Sequence, residues 1–296
     1  MKNYSTAILT TVYPAVEKYL PYFCSSLVHQ TNQQFDVVLV NDGINNLSIF
    51  NNYFSNNRIT ILKPGNNFVQ NRLIAISYAQ KQGYQKIIFA DADDLLSLNR
   101  IEVILSLIEK YPIVVNEIDL IDEAGNLLIE NYFTKNIFPE KLYDFSYIEN
   151  KNFIGLGNTA VLSAIIPEVL NIPETLKMPD WYFFYTLLRQ KNIKAFFTNK
   201  TKTLYRQHAE NLIGLKEITN KRIELGLAVK QNHYKNLIKE FPDLKTELNE
   251  IEKTIQYYYA SKTNKEKYIN TIKNINLKFP LWWEEIKTLK ELNIEK

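Results

Sequence analysis

An α/β fold with a mostly parallel central sheet, followed by a helical C-terminal extension, is the fold class this sequence predicts. Three observations carry it. Strand-like and helix-like segments alternate from residue 6 to about 122, acidic residues stand at the ends of two of those strands, and the pattern turns helical, amphipathic and Lys/Glu-rich from about 216. The composition shift near 215 divides the chain into an α/β part, 1–215, and a helical extension, 216–296.

Taken in order, AILTTV (7–12) reads as a buried strand. After Pro14, the residues Val16, Tyr19, Leu20, Phe23, Leu27 and Val28 recur at helical spacing and form one apolar stripe. FDVVLV (35–40) is a second strand closed by the turn signal Asn41-Asp42-Gly43, and RITIL (58–62) is a third closed by Pro64-Gly65. A helix is expected over 67–82, a fourth strand at KIIFA (86–90), a helix over about 97–110, and a strand at IVVNEIDLID (113–122) that returns past Gly125-Asn126 as a hairpin. The stretch 150–215 is less regular: a Gly-Leu-Gly loop (155–157) leading into a helix, a helix from Pro179 to Gln190, and two short strand-like pieces around 193–206. Helical pattern then runs to PLWWEEIKTLKEL (280–292).

With 46% hydrophobic and 13% aromatic residues the chain can fill a core, which excludes global disorder. A net charge of +3 with interspersed signs is too weak a bias for a nucleic-acid partner, and none is expected. Cys24 is the only cysteine, so an internal disulfide and a Cys-rich zinc site are excluded, which fits a reducing compartment. The N-terminus has no signal-peptide pattern, and no stretch approaches the roughly 18 apolar residues of a membrane span. A cytoplasmic location is expected, or a peripheral one at the inner face of the plasma membrane.

Asp42 and Asp91 both fall at strand ends, where open α/β sheets bind ligands. Asp91, Asp93 and Asp94 follow a buried apolar strand directly, and their charges need solvent or a cation. Carboxylates at i and i+2 suit Mg²⁺ or Mn²⁺, which would in turn hold phosphate oxygens. The plain alternative is a solvated turn in which Asp94 or Ser97 caps the following helix. An EF-hand is rejected because Leu96 stands where its loop requires glycine. The Gly155–Ala160 stretch matches G-x-G-x-x-A only on paper, since it lies mid-chain with no ribose-binding acid after it; it reads as a flexible loop shaping a sugar or acceptor pocket. No P-loop and no Gly-x-Ser-x-Gly elbow is present.

Four motifs in order make the chain resemble the family 2 glycosyltransferases, which have the GT-A fold. TTVYPAVEKYLPYFCSSLVHQTNQQFDVVLVNDG resembles their opening nucleotide-binding unit, and NRLIAISYAQKQGYQKIIFADADD the stretch that carries an arginine and ends in the DxD motif. MPDWYFFYTLLRQKNIKAFF is similar to the segment with the catalytic base, and YRQHAENLIG to the Tyr-Arg-x-His-x-x-Asn element after it. The resemblance runs from about 6 to 215. It implies an inverting enzyme that takes a nucleotide sugar, a UDP-sugar in the first instance, and transfers the sugar to a glycan or lipid-linked acceptor in surface polysaccharide or lipooligosaccharide synthesis. It also implies that Asp42 contacts the nucleobase, Arg72 the nucleotide, and Asp91 and Asp93 a divalent cation on the donor diphosphate. Asp180 falls on the catalytic base and His208 on a histidine near the metal. The family more often has two aspartates where Asn41-Asp42 stands, and an acidic residue in place of Pro179.

Each residue also has a plain reading. Asp180 suits a first helical turn, Arg72 a helix surface, His208 a strand end, and Tyr205 and Arg206 an edge strand. Trp282 and Trp283 fit either a peripheral membrane contact by the C-terminal helices or packing onto the catalytic part, and the neighbouring Glu284 and Glu285 favour packing. Two competing functions stand beside glycosyl transfer: a non-catalytic sugar-nucleotide-binding subunit, and a nucleotidyltransferase, which would normally carry the glycine-rich basic loop that TTVYPAVEKY lacks.

Overall fold

Apolar β-branched runs bounded by turn residues build the centre of the molecule. The computed structural model describes residues 2–208 and 219–294. Strands β1 (Thr6–Val12), β2 (Asp36–Asn41), β3 (Ile59–Leu62) and β4 (Lys86–Phe89) lie parallel in the order β3-β2-β1-β4. Beyond β4 the sheet continues through β9 (Thr159–Leu162), β6 (Ile113–Ile121), β10 (Ala195–Arg206) and the two-residue β5 (Leu95–Leu96). There it becomes mixed: β9 runs antiparallel to both β4 and β6, whereas β6 and β10 are parallel. The parallel half is the part whose strands alternate with helices; the antiparallel joins arise where the chain re-enters without a helical crossover. The expected hairpin after β6 is present as β7 (Leu127–Ile129), and β8 (Lys141–Tyr143) pairs with β10.

Two apolar cores flank the sheet. One holds Ile8, Val37 and Leu39 against α1 (Leu20–Val28), the short α2 (Ser48–Asn51) and α4 (Arg100–Leu107). The other holds Leu9, Val38 and Val40 against α3 (Phe68–Lys81) and α5 (Pro179–Lys191), and continues into α6 (Asn220–Leu237), α7 (Lys245–Ala260) and α8 (Lys262–Ile275). The boundary at 215 and residues 209–214 of the last motif lie outside the described residues. The apolar core is nevertheless continuous from the sheet to the tail helices.

Three local expectations need correction. The pieces around 193–206 are one strand, β10, interrupted by a register shift between Thr198 and Lys202, and it runs inside the sheet rather than along an edge. The Gly-Leu-Gly loop leads into strand β9, not a helix, and is tied down: Asn158 Oδ1 accepts from Gly155 N–H at 2.9 Å, and Asn158 Nδ2 donates to the carbonyls of Asn116 and Phe153 at 3.1 Å. Residues 280–292 are turns instead of helix. Leu281, Trp282 and Trp283 are all buried, and three consecutive buried residues cannot share one helical face. Trp282 instead exchanges backbone hydrogen bonds with Asn152 at 2.9 and 3.0 Å. Trp282 therefore packs onto the catalytic part, whereas Trp283 is buried against α6 beside Gly226 and Arg222, and both indoles are turned into the protein. No helix among the described residues is long and apolar enough to cross one.

Candidate active site

Strand β4 delivers the acidic turn. Asp94 N–H closes it on the Asp91 carbonyl at 3.2 Å, leaving Asp91 and Asp93 partly accessible and Asp94 buried. The helix-cap alternative fails here: α4 starts after Asn99 with no side-chain cap, and Asp94 Oδ1 accepts instead from Arg206 N–H at 2.8 Å. Burial, then the neighbouring charges of Asp93 and Asp91, push the Asp94 carboxyl well above the usual carboxylate range.

Two arginines hold this turn: Arg206, whose plain reading is an edge-strand residue, and Arg100, which no sequence motif singles out. Arg206, fully buried at the end of β10, donates from Nε to the Asp93 carbonyl at 2.7 Å and from a terminal nitrogen to the Glu123 carbonyl at 2.8 Å, with its guanidinium 4.7 Å from the Tyr19 ring centroid. Arg100 is buried beneath the turn, bonded to Asn116 at 2.8 Å and to the Phe89 carbonyl at 2.9 Å. Burial lowers the Arg100 pKa to about 10, so it stays charged and opposes the negative field of Asp94 and Asp91. Replacing Arg206 with methionine should strand the partly buried carbonyls of Asp93, Asp122 and Glu123, at a cost of about 2–4 kcal/mol. The thermal midpoint should fall by about 5–10 °C in calorimetry; an unchanged midpoint would refute the clamp.

Two sequence-distant residues, Arg72 and His208, meet the turn directly. Arg72, on α3, forms an ion pair with Asp91. His208 Nε2 lies 2.9 Å from Asp93 Oδ2, and the imidazole is almost fully buried beside Tyr19. Asp42 stands at the end of β2, where Asn71 Nδ2 donates to its Oδ2 at 2.8 Å; Asn71 Oδ1 also accepts from Gly65 N–H at 2.8 Å, so one buried amide fixes both turns. Asp180 occupies the first turn of α5, set there by Pro179 at its start. Burial raises the Asp180 pKa to about 6, although one side of the carboxyl remains accessible.

Arg72, Asp91, Asp93 and Asp180 line a cleft of about 200 Å³, whereas Asp42 and His208 lie outside its lining. Thr11, Tyr13 and Phe68 also line it. Thr11 Oγ1 is buried without a hydrogen-bond partner, and Phe68 is 45% exposed one helical turn before Arg72. The Phe68–Arg72 spacing of i to i+4 was a signal available in the sequence. A second chamber of about 90 Å³ shares Asp91, Leu156, Asp180 and Tyr205 with the first. Gly157 borders it because a side chain there would not fit: a Cβ would stand 2.8 Å from Asp91 Oδ2.

The donor set fits a hard divalent cation. The carboxylates of Asp91 and Asp93 are hard oxygen donors of the kind Mg²⁺ and Mn²⁺ take, and His208 Nε2 is hydrogen-bonded to Asp93 Oδ2 at 2.9 Å. Among the described residues no group of three or more acidic, His or Cys side chains is arranged to hold a metal alone, so diphosphate oxygens and water would complete the shell.

Residues 7–170 match the profile of glycosyl transferase family 2. The chain belongs to that family and is a glycosyltransferase, which sets aside the nucleotidyltransferase and the non-catalytic subunit. Its fold is that of solved GT-A structures. S. aureus TarS 1–349 in complex with UDP-GlcNAc superposes with a TM-score of 0.58 at 14% identity, covering 90% of this chain and 78% of that one. GalNAc-T7 with UDP, GalNAc and Mn²⁺ gives 0.53 at 14% identity, covering 87% of this chain and 57% of that one. A search of curated protein sequences returns no match.

Proposed function

We propose that this glycosyltransferase inverts the anomeric centre and moves a sugar from a nucleotide sugar, a UDP-sugar in the first instance, to a hydroxyl of a glycan or lipid-linked acceptor. The observation that carries the reading is the convergence on one cleft of Asp93, the Arg72–Asp91 ion pair and Asp180, whose pKa is raised to about 6, with His208 bonded to Asp93 from outside the lining. UDP in two structures of the same fold, and Mn²⁺ in one, favour the same donor chemistry.

In this reading Asp93 and His208 hold Mn²⁺ or Mg²⁺, which when bound supplies Lewis-acid stabilisation of the departing diphosphate. Arg72 swings from Asp91 to phosphate oxygens, and Asp91 then orients the donor. Asp42, steadied by Asn71, accepts from the nucleobase. Asp180 takes the acceptor proton as the hydroxyl attacks, a role suited to a carboxyl whose pKa lies near the working pH. In-line displacement requires the leaving group and the base on opposite sides of the reacting carbon, and the reading assigns the first to the Asp93 end of the cleft and the second to Asp180. The buried, unpaired Cys24 fits a cytoplasmic setting.

Thermal shift with UDP, GDP, CMP and dTDP, each with Mn²⁺ or with EDTA, tests this. At 100 times the dissociation constant a bound nucleotide adds about 2.7 kcal/mol, so UDP with Mn²⁺ should raise the midpoint by about 5–10 °C. Loss of that gain in EDTA is expected. No metal-dependent gain from any of the four nucleotides would remove the reading.

A further inference from the structure

The second chamber is built partly by the tail. Trp282 lines it together with Asp94, Asn158, Thr203 and Asp180, although it lies far beyond the family-matched residues 7–170. The backbone bridge to Asn152 fixes its position, and Phe133 and Tyr205 pack edge-on against the indole with centroids at 5.5 and 6.3 Å. Gly155 makes room for it: a Cβ at that residue would meet Cη2 at 2.9 Å and Cζ3 at 3.0 Å. Two buried polar atoms among the lining residues have no hydrogen-bond partner, Trp282 Nε1 and Asp94 Oδ2. Buried donors and acceptors left unpaired in this way are rare. A rigid indole beside polar groups also suits a pyranose ring, whose axial C–H face is apolar and whose edge is hydroxylated.

We infer that the second chamber is a monosaccharide subsite, with Trp282 of the C-terminal segment as its specificity-determining wall. Its size admits one sugar ring rather than an oligosaccharide. The tail is thereby part of the catalytic apparatus, and Gly155 serves to seat the indole. The inference rests on the proposed donor chemistry. The sugar would come either from the donor or from the acceptor terminus, and the chamber presents the same chemistry to both.

The test uses the full chain and the probes UDP, UDP-GlcNAc, UDP-GalNAc, UDP-glucose and UDP-galactose with Mn²⁺. Trp282→Ala, Trp282→Phe and Gly155→Ala are compared with the wild type for UDP affinity, UDP-sugar affinity, UDP-sugar hydrolysis, and transfer to an oligosaccharide array. If the ring belongs to the donor, Trp282→Ala leaves UDP affinity within twofold. It removes the extra affinity of the preferred UDP-sugar over UDP and cuts hydrolysis at least tenfold. If the ring belongs to the acceptor, hydrolysis persists and transfer falls at least tenfold. Trp282→Phe, which keeps the ring and loses the N–H, should lie between, and Gly155→Ala should follow Trp282→Ala. Should Trp282→Ala not fold, Trp282→Phe and Gly155→Ala carry the test. Unchanged sugar discrimination, hydrolysis and transfer in folded variants would overturn the inference, as would a loss of UDP affinity that accounts for the whole effect. Failure of the wild type to bind any UDP compound would instead refute the donor reading.

Discussion

Asp180→Asn should lower glycosyl transfer by about 1,000-fold, within the range that a positioned general base supplies, while Mn²⁺-dependent UDP affinity stays within a few-fold of wild type. Steady-state transfer and calorimetric titration check the two halves separately. The wild-type pH profile gives an independent reading. With the Asp180 pKa at about 6, kcat/KM should climb about tenfold per pH unit below that value and flatten above it. A profile flat between pH 5 and 8 would rule the carboxyl out as base. The stability sign is opposite to that of a salt-bridged aspartate. The folded pKa of about 6 lies above the ordinary value of 3.8, so the folded state holds this proton more tightly. Stability is therefore lost as pH rises from about 4 to 6, and the penalty is fully present at neutral pH. Allowing for solvent on its open side, Asp180→Asn should recover about 1–2 kcal/mol at pH 7.5. A variant that is nearly inactive yet melts several degrees higher is the expected result.

Replacing Asp93 with asparagine keeps the shape of the acidic turn and removes the anionic oxygen that faces His208 Nε2 at 2.9 Å. The Mn²⁺-dependent part of UDP stabilisation should vanish, and turnover should fall by about 100- to 1,000-fold, the scale of losing one stabiliser of developing charge. The fold should survive, because the Arg206 bonds in this turn go to the Asp93 carbonyl and the Asp94 carboxylate, neither of which the substitution touches. Isothermal titration of UDP with and without Mn²⁺ measures the effect. Full retention of metal dependence would move the cation elsewhere in the cleft.

The sequence by itself determined the parallel half of the sheet, since apolar runs punctuated by turn residues and alternating with helical stripes report on each element's own two faces. It also placed Asp91, Asp93, Arg72, Asp180 and His208 as candidates, because those residues sit in short ordered motifs. Asp91, Asp93, Arg72 and Asp180 line one cleft, and His208 is bonded to Asp93. Tertiary structure alone decided what holds them. Arg206 grips a carbonyl 113 residues away, Asn71 fixes two turns at once, and Arg100 supplies a buried charge under the acidic turn, none of which a local pattern encodes. The end of the chain shows the limit most plainly. Its helix-like composition yields to the burial of three consecutive residues and a bridge to Asn152, since long-range packing outweighs the few tenths of a kcal/mol per residue, roughly, that helix propensity contributes. Periodicity states which side of a segment is buried, and only the fold states against what; for Trp282 that partner is the wall of a chamber beside Asp180.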